Sequence, residues 1–66
     1  MAADLDDVRG RLESIAEELG DLAMDALRDA IESGERGRPA KERRLSQARR
    51  SVERAASLLR TDEAAD

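Results

Sequence analysis

Sixty-six residues, 42% of them charged, carry a formal net charge of −4 and include no cysteine, no histidine and no aromatic residue. A chain of this length is expected to form one small domain that buries a modest share of its surface; without disulfides or the preferred ligands of structural zinc, association is the support left to it. Thiol and imidazole chemistry is excluded as well, and Ser14, Ser33, Ser46, Ser51 and Ser57 have no evident activating partner, so no catalytic residue, cofactor or metal site is expected and the chain reads as a non-enzyme.

The spacing predicts a first helix over residues 4–33. Asp4 suits the N-cap, with Asp7 three positions on in a capping-box-like arrangement that adds negative charge at the positive end of the helix dipole. Leu5, Val8, Leu12, Ile15, Leu19, Leu22 and Ala26 then recur at intervals of three and four, a helical and not a strand period. With Ala16, Ala23, Leu27 and Ala30 they fill an arc of about 140°, which Met24 and Ile31 widen on one edge; such an arc is too broad for one partner helix. Gly10 and Gly20 fall outside the arc and each costs about 1 kcal/mol relative to Ala.

Ser33-Gly34 reads as the helix stop, Gly supplying the left-handed C-cap, and residues 34–38 as the loop. A second helix is predicted over 39–60, with Pro39 in its first turn and Leu45, Ala48, Val52, Ala55 or Ala56, and Leu59 as its apolar seam. The acidic tail 61–66 is expected to be disordered. So short a loop makes the helices antiparallel, pairing residues whose numbers sum to about 72: Leu27 with Leu45, Ala23 with Ala48, Leu19 with Val52, Ala16 with Ala56 and Leu12 with Leu59.

Charge is divided between the halves: residues 1–33 hold ten acidic and three basic side chains, and residues 34–60 hold three and nine. The same pairing puts Asp29 near Arg43, Asp21 near Arg50 and Glu17 or Glu18 near Arg54, pairs worth about 0–1 kcal/mol each, so this asymmetry needs no ligand.

Two features are weighed against solvated helix faces. Glu17-Glu18-Leu19-Gly20-Asp21-Leu22 resembles the ExxD helix of MazG-type nucleotide pyrophosphohydrolases, a likeness that implies Glu18 and Asp21 as magnesium ligands. Those enzymes also use a preceding EExxE helix, which has no counterpart in this sequence, so a complete metal site in one chain is not expected. Arg36, Arg38, Arg43, Arg50 and Arg54 form a basic stripe able to contact phosphates. No aromatic side chains interleave it, no third element completes a helix-turn-helix, and the net charge opposes a nucleic acid as the main partner.

Membrane binding is not expected, because helix 1 is acidic and helix 2 has few large apolar residues. No secretory signal is visible, so a cytoplasmic location is the default expectation. Helix 1 carries nine large apolar side chains and helix 2 four (Leu45, Val52, Leu58, Leu59), and one cannot cover the other. The fold class expected is therefore all-α, a two-helix antiparallel hairpin dimerising into a four-helix bundle, with Leu5, Val8, Leu12, Ile15, Leu19 and Leu22 in the dimer interface. This resembles the architecture of ROP-type bundles in shape and length. The expected function is a non-catalytic, self-associating protein-protein interaction module. The alternatives are a nucleic-acid-binding or regulatory accessory protein using the basic helix, or a small partner subunit of a larger complex with an unidentified protein.

Overall fold

The structure is a computed structural model that describes residues 4–60, and it consists of two α-helices, α1 (Leu5–Glu32) and α2 (Ala40–Leu58), packed against each other. The tail 61–66, expected to be disordered, lies outside the described residues.

Both ends of α1 are set by local chemistry. The Asp4 carboxylate accepts a hydrogen bond from the Asp7 backbone N–H at 2.8 Å, and Asp6 and Asp7 place negative charge in the first turn. At the other end the Gly34 N–H donates to the Ile31 carbonyl at 3.0 Å and the Glu35 N–H to the Ala30 carbonyl at 2.9 Å. This is the Schellman pattern, and Gly34 takes the left-handed conformation it requires, with φ +82°. The helix proper is one residue shorter at each end than the 4–33 expected, because Asp4 and Ser33 are its caps.

α2 departs further from expectation. Pro39 is its N-cap and not part of its first turn: ψ is 152°, extended, while its carbonyl already accepts from the Arg43 N–H at 3.1 Å. The helix also stops two residues early, at Leu58, where the Leu59 and Arg60 N–H groups bond three residues back, to Ala56 and Ser57. Such a tightened turn satisfies the last carbonyls.

The helices run antiparallel. Next to the loop, Ala26, Asp29 and Ala30 share a groove with Pro39 and Lys41; in mid-helix Gly20 lies under Arg49; farther on, Glu13, Ala16 and Glu17 meet Arg49 and Glu53. The buried residues among those described are all alanines: Ala16, Ala23, Ala26 and Ala30 from α1 and Ala56 from α2. Leu12, Leu19, Leu27, Leu45, Val52 and Leu59 are only half-buried.

Two expectations about this seam are corrected. Ala48, paired in the sequence with Ala23, is exposed, because α2 is turned about its axis so that Glu42, Ser46 and Ala56 approach α1 along with Leu45 and Val52. A Cβ on Gly20 would sit 3.1 Å from Arg49 Nη1 and 3.6 Å from its Cδ, so the guanidinium end of the arginine lies across this glycine. The expected cross-helix pairs Asp29–Arg43, Asp21–Arg50 and Glu17 or Glu18–Arg54 are likewise not formed. Among the described residues the ion pairs are Arg9–Asp6, Arg28–Asp25, Arg38–Glu42 and Arg49–Glu53, each between positions three or four apart. The rotation turns Arg43 and Arg50 outward, and Arg43 instead donates to the Arg38 carbonyl at 2.7 Å.

Candidate interaction surface

Buried Ala16-Ala23-Ala30, seven apart, form the line of α1 that faces α2; on α2 a second line of the same spacing, half-buried Glu42, exposed Arg49 beside Gly20 and buried Ala56, runs next to half-buried Leu45 and Val52. Ile15 and Leu22 each precede a residue of the first line by one position, and Ala48 and Ala55 each precede a residue of the second. One residue back is a turn of about 100° round each axis; because the helices are antiparallel and face each other, both turns lead to the same side of the hairpin. That side is an apolar face built from both helices. On α1 it continues as Val8, Leu12, Ile15, Leu19, Leu22 and Ala26, spaced four and three in turn, the heptad spacing of a helix-packing seam.

Of the six residues expected in an interface, Leu5, Ile15 and Leu22 are 50%, 43% and 50% exposed, while Val8, Leu12 and Leu19 are half-buried, Leu12 and Leu19 along the edge shared with α2. The sequence spacing assigns the alanines that α2 contributes to its seam with α1. Their three-four spacing was visible, but not the rotation that moves Ala48 from that seam to the open face. Met24, Ile31 and Leu58 are also exposed but stand apart from this face, as single surface apolar residues commonly do.

The five arginines expected to contact phosphates do not form one site. Arg38 donates from Nε to Glu42 Oε1 at 2.7 Å and Arg43 is tied to the Arg38 carbonyl. Arg50 and Arg54 share an outward groove with Gln47 and Ser51, and Arg36 is exposed in the loop. Arg43 and Arg50 each follow a residue of the α2 contact line by one position, so they lie on the side away from the apolar face.

The fold perturbs the ionisation of Glu42. The Arg38 guanidinium and then the Ser46 hydroxyl, donating to Oε2 at 2.8 Å, hold it below its ordinary value, against a smaller opposing effect of burial. Glu18 and Asp21, the pair in the MazG-like segment, are both exposed, and among the described residues no group of three or more acidic side chains is gathered where it could hold a metal ion. Among the same residues no helix is long and apolar enough to cross a membrane. No protein-family model, curated protein or solved structure matches this chain.

Proposed function

We propose that this chain is a non-catalytic helical interaction module that self-associates through the apolar face, two hairpins closing into a four-helix bundle. One observation carries the reading: every buried side chain among the described residues is an alanine, while Leu5, Ile15 and Leu22 stand 43–50% exposed. A hairpin in this state leaves Ile15 and Leu22 about half in water on one side, and a second hairpin laid on that side covers them. A cytoplasmic setting accords with a chain that carries no cysteine.

Sedimentation equilibrium tests the proposal on the wild type, Ile15→Asp and Leu58→Asp. The wild type is expected to sediment as a dimer, Ile15→Asp as a monomer or an unfolded chain, and Leu58→Asp, altered at a residue 77% exposed and away from the face, as a dimer still. A monomeric wild type that unfolds cooperatively overturns it.

The outward Arg50 and Arg54 support a second reading, contact with a nucleic-acid backbone from the side opposite the dimer face. Duplex binding that weakens steeply with salt favours it. A different protein recovered in stoichiometric amount with a monomeric chain favours the small-subunit reading instead.

A further inference from the structure

The self-association proposed above admits two closed arrangements. Either the loops lie at the same end and α1 of each copy packs on α2 of the other, or they lie at opposite ends and like helices pack on like. We infer that the occupant of the apolar face is a second copy in the first arrangement, α1 against the partner α2, with Arg44 of each copy level with Asp25 and Asp29 of the other. The inference rests on the self-association reading and adds its geometry.

Charge and size both select it. Between Leu5 and Glu32, α1 holds nine acidic and three basic residues; between Ala40 and Leu58, α2 holds six basic and two acidic. Packing unlike helices sets an acidic rim on a basic one twice over, whereas packing like helices sets acid on acid and base on base. The rim charges are available: among the described residues Glu18, Asp29, Lys41 and Arg44 make no ion pair, and the pair of Asp25 with Arg28 is exposed, at 3.3 Å.

Size follows the same division. The α1 side of the face presents Ile15 and Leu22, the α2 side Ala48 and Ala55. With loops at the same end, α1 and the partner α2 keep the level set by Gly20 against Arg49, so Leu22 meets Ala48 and Ile15 meets Ala55. Large then fills small at each layer, as close packing requires. With loops at opposite ends, large side chains crowd one helix pair and alanines leave the other slack. The first arrangement also puts both N-terminal overhangs of α1 at one end, where Leu5 and Val8 of the two copies can cover each other.

The chain contains no cysteine, so Arg36→Cys gives a single loop position for a nitroxide label. Pulsed dipolar spectroscopy on the labelled dimer is expected to give about 15–25 Å, the diagonal of a bundle with 8–10 Å between axes plus label reach. About 40 Å or more, the length of α1, overturns the arrangement and leaves self-association standing. Failure to dimerise at any concentration removes both. Arg44→Glu supplies a second readout: it is expected to raise the dimer dissociation constant about tenfold, since exposed rim pairs act at two symmetric places. An unchanged or lower constant, as expected where α2 faces a like-charged α2, overturns the arrangement.

Discussion

Glu42 occupies the third position of α2, where a carboxylate faces the positive end of the helix dipole, and the Pro39 cap brings no side chain to share that role. Arg38 and Ser46 fasten it from both sides. With its folded pKa below the ordinary 4.5, the stability it contributes is fully present above about pH 4.5 and is lost as pH falls through the lower folded value. Glu42→Gln is therefore expected to flatten the acid limb of the melting curve below pH 4.5 and to lower the melting temperature at neutral pH. Thermal melts by circular dichroism from pH 7 to 3 check this, and parallel wild-type and variant limbs would show the clamp to be idle. In the sequence Arg38 belongs to the basic stripe expected to contact phosphates, yet its spacing of four to Glu42 also offers the ion pair that forms.

At the scale of the helix, three glycines separate propensity from geometry. A Cβ at Gly10 meets nothing within 4 Å, so Gly10→Ala is expected to stabilise by about 1 kcal/mol. At Gly20 the same gain is partly offset, because the new Cβ would push on the flexible end of Arg49. At Gly34, φ +82° makes Ala strained, and Gly34→Ala should cost about 1 kcal/mol. Denaturant melts that rank Gly10→Ala above Gly20→Ala, and Gly34→Ala below wild type, would bear out all three. The ends of α1 were legible in the sequence because its caps are local, Asp4 and Ser33-Gly34 each acting within one turn, whereas Pro39 proved to be the cap of α2 and not part of its first turn. The rotation of α2 was not legible, since the α2 stripe carries alanines whose spacing suits a seam one position to either side. The apolar face was half legible: its α1 residues stand out by period, while its α2 residues are assigned only once that rotation is known.

For the whole molecule, the lengths of the two helices decide where association matters most. At 1.5 Å per residue, the 28 residues of α1 span about 42 Å and the 19 of α2 about 28 Å, and with Gly20 level with Arg49 about two turns of α1 extend past Leu58. Leu5, 50% exposed, and half-buried Val8 stand in that extension, with no α2 residue beyond Leu58 in helical register to cover them. If a second copy covers them, folding and dimerisation are one equilibrium, and the melting temperature rises with protein concentration by mass action. Val8→Asp attacks that coupling at its most exposed end: a carboxylate held in the interface costs several kcal/mol unless it is paired. The variant is expected to melt lower than wild type, with a midpoint that moves little across a hundredfold range of concentration. Melts of both proteins over that range decide the point, since a wild-type midpoint independent of concentration would assign the folded state to the hairpin alone, and a variant with an undiminished slope would place the association elsewhere than on the extension of α1.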